Sequence, residues 1–259
     1  MNLTLVSSAG AATALAAYIL YKCLAKNKCE LVEKNMITIV HKEKSSSILG
    51  DLVNSNERSI DITTHMRCIR EYHKMNMDRD IHIVINTRGG SLSSSEAIGN
   101  CLLRHKGKGK IICHIPHYAY SGGWFIALCC DKIIMNQTSI IGPCDAQQKI
   151  GMGQYSVKAI VDTVAYKKQN KEKIDEKWLA VAVDAELCRT RQREFLDKIV
   201  AHGKIRTEDK EKIHAAFFSG NYNHDHIFNV DQLKELLGDK VEIIDAATPF
   251  DKYINDLCF

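Results

Sequence analysis

The chain has 259 residues, of which 45% are hydrophobic and 25% are charged, as is typical of a folded globular protein. Its 35 basic and 31 acidic residues give a net charge of +4, and the basic residues form no stripe, so the composition argues against nucleic acid as a partner. The ten cysteines lack the spacing of a zinc site and several lie in apolar runs, which indicates reduced thiols in a reducing compartment.

The first predicted element is an apolar segment near the N-terminus. Residues 3–21 carry no charge, and Lys22, Lys26 and Lys28 follow them. A helix of about 20 residues spans the hydrocarbon core of a bilayer, and positive charge after the apolar run, rather than before it, favours an anchor over a cleaved signal peptide. We therefore predict a single-pass membrane anchor over residues 1–25, with the rest of the chain in the cytosol. The alternative is a buried or frayed N-terminal helix.

The remainder of the chain predicts an α/β fold. Residues 26–58 are predicted to be a juxtamembrane connector with one early strand at 36–40, and residues 59–259 to form the main domain. Short β-branched runs alternate there with turns and helical patterns, which predicts a mostly parallel sheet with right-handed crossovers. The predicted strands cover residues 81–86, 109–115, 132–135, 139–143 and 240–244. The predicted helices cover residues 64–75, a segment from Ser93, the apolar run after Ser121, and residues 175–203, 207–218 and 229–237.

Two glycine turns each follow a buried strand and precede a helix. One contains Gly89 and Gly90, and the other contains Ser121, Gly122 and Gly123. In a parallel sheet both turns lie at the carboxyl ends of strands, where such folds bind ligands. A serine at a helix N-terminus faces unpaired N–H groups and the positive end of the helix dipole, so the two turns together predict an oxyanion hole beside a nucleophile. The alternative is that Ser121 only caps the helix.

A serine nucleophile needs a base, and the sequence offers histidines and lysines. His117 lies on the turn before Ser121 and is interpreted as a structural residue. The other histidines considered lie far along the chain: His202, His214, His224 and His226. The stretch "NHDH" at residues 223–226 is interpreted as a polar loop rather than a metal site. A lysine whose pKa is lowered by burial also serves as a base, and the candidates after the serine are Lys158, Lys167 and Lys168.

Two long stretches of this sequence resemble the serine dehydrogenase proteinase family, membrane-associated relatives of signal peptide peptidase A within the Clp/crotonase superfamily. They are "INTRGG" at residues 85–90 and "PHYAYSGGWFIALCCDKIIMNQTSIIGPCDAQ" at residues 116–147. The similarity extends over residues 48–244 and is densest between residues 81 and 147. One departure is Arg88, which stands where relatives usually carry proline before the paired glycines.

The resemblance implies a Clp/crotonase-like spiral of ββα units that carries a serine peptidase site. It implies Ser121 as the nucleophile and the N–H groups of Gly90 and Gly122 as oxyanion donors, with Gly89 next to them. The Clp branch has a histidine base about two dozen residues after the serine, where this chain has "CDAQ" at residues 144–147. The signal peptide peptidase branch uses a lysine instead, and the candidates for that role are, in order of preference, Lys167, Lys168 and Lys158.

The resemblance implies a membrane-anchored serine endopeptidase that cleaves peptides or membrane-protein segments through an acyl-enzyme. No motif requires a metal or a cofactor, and the superfamily implies a homo-oligomer. The expected partners are a peptide or protein substrate, a membrane and further copies of the chain. One alternative is a catalytically inactive membrane scaffold of the same fold. Another is an acyl-CoA hydratase or isomerase, because such enzymes also hold an oxyanion with paired backbone N–H groups.

Overall fold

The computed structural model of the protein describes residues 35–41, 59–244 and 249–258. The predicted anchor over residues 1–25 lies outside the described residues, as does most of the predicted connector. Within the part of the chain that the structure describes, no helix is long and apolar enough to cross a membrane.

The centre of the fold is a five-stranded sheet in which all neighbouring strands run parallel. The strands, in chain order, are β1 (Met36–Val40), β2 (Ile81–Asn86), β3 (Ile111–Ile115), β4 (Tyr118–Ala119), β5 (Lys132–Asn136), β6 (Ile140–Ile141), β7 (Gln147–Ile150), β8 (Gly153–Ser156) and β9 (Val241–Ile244). The central sheet has the order β1-β2-β3-β5-β9, while β4 pairs with β6 and β7 forms an antiparallel hairpin with β8. The predicted α/β fold with a mostly parallel sheet is confirmed.

Helices fill the connections between these strands. They are α1 (Ile62–Tyr72), α2 (Leu92–Leu103), α3 (Gly122–Leu128), α4 (Val157–Gln169), α5 (Glu176–Ala201), α6 (Lys210–Ile213), α7 (Val230–Leu237) and α8 (Pro249–Asp256). The helix predicted over residues 207–218 is instead three short pieces, because a 3₁₀ turn precedes α6 and a π-helical turn, His214–Phe218, follows it. Neither the hairpin nor α4 was predicted from the sequence.

Helix α3, which follows the second glycine turn, is fully buried. All seven of its residues are buried. Phe125 stacks on Phe195 of α5 with ring centroids 4.5 Å apart, and Trp124 packs edge-on against Phe217. Full burial of a large apolar side chain contributes about 1.5–3 kcal/mol, so these contacts hold α3 firmly. Ser121, which directly precedes α3, therefore has a fixed position at the carboxyl end of the sheet.

Candidate active site

The two glycine turns lie side by side at the carboxyl ends of β2 and β3. Thr87 and Ala119 form a parallel bridge just before the turns, and the Gly89 N–H donates to Thr87 Oγ1 at 3.0 Å. A Cβ atom on Gly89 would lie 2.6 Å from Ser121 Cβ and 2.9 Å from the Gly122 nitrogen. Gly89 also has a φ of +101°, so only glycine permits this close approach of the two turns.

Ser121 has an unusual backbone conformation, with φ 48° and ψ −120°. Its N–H donates to the Pro143 carbonyl at 3.1 Å and its carbonyl accepts from the Phe125 N–H at 3.0 Å. Its side chain makes no capping hydrogen bond, although the residue occupies the N-cap position of α3. A non-glycine residue in such a region stores about 1–3 kcal/mol of strain, and strain of this kind is concentrated at functional sites. The structure thus gives Ser121 no capping role.

Two backbone N–H groups next to Ser121 are open to a ligand. Gly122 is the first residue of α3, and its N–H has no partner within the helix. Neither this N–H nor that of Gly90 donates to any residue in the part of the chain that the structure describes. A Cβ atom on Gly122 would lie 3.5 Å from the Gly90 nitrogen, so the two donors are close together. The Gly89 N–H, in contrast, is engaged by Thr87.

Ser121 faces a cavity of about 370 Å³. Gly90 and Gly122 line it together with Ser121, so the nucleophile and both predicted donors meet in one space. The remaining lining residues that matter for chemistry come from elsewhere in the chain: Arg88, Cys144, Asp145, Gln147, Cys188, Gln192 and His224. The cavity combines backbone donors, a hydroxyl and an acid–base pair, which is the composition of a hydrolase site.

The acid–base pair in the cavity is His224 and Asp145. His224 Nδ1 lies 2.8 Å from Asp145 Oδ1. Asp145 is 2% exposed, and its Oδ2 accepts a hydrogen bond from Gln147 Nε2 at 2.6 Å. The hydrogen bond to Asp145 raises the pKa of His224, against the effect of its partial burial. Because Nδ1 is occupied by a carboxylate, Nε2 is the nitrogen left to exchange a proton, although it makes no hydrogen bond to Ser121 in the described residues.

The predicted lysines lie on α4 and do not line this cavity. Lys158 forms an ion pair with Asp162, and Lys167 Nζ lies 3.7 Å from a carboxylate oxygen of Glu172. Lys168 is exposed at the end of the helix. The structure therefore brings together the predicted serine and glycines but not the predicted lysines.

Lys240 is a partly buried lysine, and it lies at the opposite end of α3 from Ser121. Its amine donates to the carbonyls of Leu128 and Cys130 at the C-terminus of α3, and to the Lys204 carbonyl at 2.8 Å. Burial lowers its pKa to about 8. Lys240 thus has the environment of a lysine base but stabilises a helix end instead.

Sequence reasoning missed the pair of His224 and Asp145. These residues are 79 positions apart, and nothing local to either one indicates the other. A signal was present all the same. Asp145 stands about two dozen residues after Ser121, at the place where the Clp branch has its histidine, and His224 belongs to the stretch interpreted as a polar loop. In the described residues no group of three or more His, Cys, Asp or Glu side chains could hold a metal.

Comparisons with known proteins agree with this geometry. A family model described as "ClpP-like SDH-type serine proteinase" matches residues 16–251. Two uncharacterized proteins of Methanocaldococcus jannaschii, MJ0137 and MJ1495, are each 31% identical to the chain over 203 and 201 residues. The matches cover 78% of this chain but only 66% and 64% of those proteins, so the chain spans just under two thirds of their length.

A solved structure, ClpP1 from Listeria monocytogenes, shares the fold. It superposes with a TM-score of 0.50 and 13% sequence identity, over 85% of this chain and 97% of that one. At this identity the likeness concerns the fold alone.

Proposed function

Because the chain belongs to the ClpP-like SDH-type serine proteinase family, we propose that it is a serine peptidase with Ser121 as nucleophile. The observation that carries the proposal is the shared cavity. A serine hydroxyl that caps no helix, two backbone N–H groups without a described partner and a carboxylate-bound histidine line the same space. Each of the three is a separate requirement of acyl transfer.

In the proposed mechanism Ser121 Oγ attacks the scissile carbonyl carbon while His224 Nε2 takes the hydroxyl proton. The carbonyl oxygen becomes an oxyanion, and the N–H groups of Gly90 and Gly122 donate to it. Asp145 stabilises the imidazolium that forms. The tetrahedral intermediate collapses, the C–N bond breaks, and His224 returns its proton to the leaving amine. Water then attacks the acyl-enzyme by the same route, which releases the acid and restores Ser121.

The serine–lysine arrangement remains the second proposal for the base. Under it Lys167 or Lys168, or in third place Lys158, would take the proton from Ser121. It requires a lysine of α4 to approach a cavity that the described structure lines without one. His224, in contrast, already lines the cavity of Ser121, although no hydrogen bond joins the two side chains in the described residues, and for this reason we favour the histidine proposal.

We propose a peptide or protein segment as substrate and further copies of the chain as partners. An extended peptide would add a strand at the cavity of Ser121 by β-augmentation, on an edge other than those of β2 and β3, which are already paired on both sides in the central sheet. Exposed apolar side chains lie on the hairpin and along α5, among them Met152, Val183 and Leu187. A homo-oligomer would cover them, and size-exclusion chromatography with light scattering tests this directly. The membrane anchor over residues 1–25 and the cytosolic domain are likewise proposals.

The test is formation of an acyl-enzyme. The full chain in detergent is treated with an activated peptide ester, and the adduct is mapped by mass spectrometry. We expect the acyl group on Ser121, and no adduct in Ser121→Ala. The base is identified by comparing His224→Gln with Lys167→Ala, Lys168→Ala and Lys158→Ala. A folded protein that gives no adduct on Ser121 would favour the inactive scaffold of the same fold, and hydration of an enoyl-CoA without acylation would favour the hydratase.

A further inference from the structure

Gln192 joins helix α5 to the segment that carries Asp145. Its side chain is 1% exposed and lines the cavity of Ser121. The Nε2 group donates to the Cys144 carbonyl at 2.6 Å, and Oε1 accepts from the Ala146 N–H at 3.3 Å. One side-chain amide therefore holds the residues on both sides of Asp145.

The segment around Asp145 is held at its start by the strand and turn of Ser121, because the Gly142 N–H donates to the Ala119 carbonyl at 3.2 Å and the Pro143 carbonyl accepts from the Ser121 N–H at 3.1 Å. Residues 142–146 belong to no helix or strand. The Cys144 N–H donates to the Phe217 carbonyl at 2.7 Å, and the Ala146 carbonyl accepts from the Val157 N–H at 3.0 Å. Gln192 binds the remaining carbonyl of Cys144 and the remaining N–H of Ala146. Its loss would leave buried backbone groups unpaired, which favours a shift of the segment.

Helix α5 also contacts the two helices that follow the glycine turns, α2 and α3. Phe195 stacks on Phe125 of α3, the helix that Ser121 precedes. Arg191, next to Gln192, pairs through Nε with a buried oxygen of Glu96 at 2.7 Å, and Glu96 lies on α2, which follows Gly90. Through Gln192, the segment of Asp145 is therefore attached to α5, the same helix that packs against α3 and α2 next to the proposed nucleophile and oxyanion donors.

We propose that Gln192 is a positioning residue for the reaction: it fixes the backbone on both sides of Asp145 and thereby the orientation of His224. This rests on the proposed role of His224 as base. Gln192 makes no hydrogen bond to a reacting atom, so it acts through the segment that carries Asp145, whose Pro143 carbonyl also accepts from the Ser121 N–H.

The first test needs no substrate. The pKa of His224 is measured by NMR titration of its ring, with His224→Gln used to assign the resonance. Asp145 and Asp225 both raise this pKa, and Arg88 lines the same cavity, so all three stay unchanged in the Gln192 variants. We expect Gln192→Met, which keeps the length and loses both hydrogen bonds, to lower the pKa of His224 in the direction given by Asp145→Asn.

The control for this titration is Thr190→Val on the same helix. Thr190 is exposed and donates only to the Glu186 carbonyl within α5, so its replacement should leave the His224 titration unchanged. Gln192→Leu is the second variant in case Gln192→Met does not fold, because it also loses both hydrogen bonds and adds no charge beside His224. An unchanged His224 pKa in folded Gln192 variants overturns the proposal.

The second test is a double-mutant cycle on the acylation rate. Misplacement of a catalytic group by about 1 Å costs about 100-fold in rate, and we expect a loss of this order in Gln192→Met. In an Asp145→Asn background the same change should cost at least about tenfold less than in the wild type, because most of its effect passes through Asp145. Full additivity would overturn the proposal. If His224→Gln leaves acylation unchanged, the base assignment fails, while the titration still decides the role of Gln192.

Discussion

The two halves of the site are built in different ways. The nucleophile half consists of Ser121 and the paired glycines, which lie on neighbouring parallel strands and act through backbone geometry. The acid–base half consists of Asp145 and His224, two side chains from irregular segments 79 residues apart. The first half depends on local conformation, while the second depends on how α5 and the loops around it pack. The two halves should therefore respond differently to substitution.

The largest expected effect is in the nucleophile half. Ser121→Ala and Ser121→Gly should both lower the acylation rate by about 10⁴-fold or more, because the attacking oxygen is gone. They should differ in stability. The φ of 48° suits glycine, so Ser121→Gly should have a free energy of unfolding about 1 kcal/mol above that of Ser121→Ala, measured by urea denaturation. Equal stabilities would mean that the backbone at residue 121 carries no strain.

Substitution in the acid–base half should lower the acylation rate by a similar factor and should also change how the rate depends on pH. Asp145→Asn should lower the acylation rate by about 10⁴-fold at neutral pH, as loss of the orienting carboxylate does in serine–histidine–aspartate triads. In the wild type, activity should rise with pH through the raised pKa of His224, above the ordinary value near 6.5. In Asp145→Asn this acidic limb should move to lower pH, because the hydrogen bond that raises the pKa is lost.

The same pair makes a prediction about stability. Since the folded-state pKa of His224 is raised, its contribution to stability is fully present below the unfolded pKa and is lost as the pH rises through the folded value. The stability difference between wild type and His224→Gln should shrink over that interval in urea titrations at several pH values. A difference that is constant with pH would contradict the ion pair of His224 and Asp145.

Substitution of the proposed oxyanion donors should lower the acylation rate by a smaller factor, and a second substitution should restore the rate in one of the two variants. A Cβ atom on Gly90 would lie 2.3 Å from the Ile60 carbonyl oxygen, a backbone atom that cannot move away. A Cβ atom on Gly122 would lie 2.2 Å from Ser95 Oγ, a side chain that can. Gly90→Ala should therefore lose about 10²–10³-fold in acylation, the effect of removing an oxyanion donor. Gly122→Ala should lose less and recover when combined with Ser95→Ala, whereas Gly90→Ala should not recover with it.

The difference between the two halves also explains which parts of the site could be predicted from the sequence. Parallel strands, glycine turns and an apolar helix are specified by neighbouring residues, so the sequence could predict that Ser121 and the paired glycines lie together, while their catalytic roles stay a prediction. The hairpin of β7 and β8 was missed because it is polar, partly exposed and held by cross-strand pairing rather than by a buried face. The link between Asp145 and His224 was missed because it exists only after α5, Gln192 and the loop of His224 have packed together.

The smallest expected effects are those of the lysines of α4, and they decide between the two proposals for the base. We expect Lys167→Ala and Lys168→Ala to acylate within about twofold of wild type, because neither lysine lines the cavity and the solvent-accessible pair of Lys167 with Glu172 contributes little. Lys158→Ala, at the third candidate, should behave in the same way, because Lys158 pairs with Asp162 and does not line the cavity of Ser121. A loss of about 10³-fold in one of these variants, with an unchanged His224→Gln, would move the base to α4. It would also require α4 to rearrange around the nucleophile when substrate binds, and the acid–base half would then be assembled by the substrate.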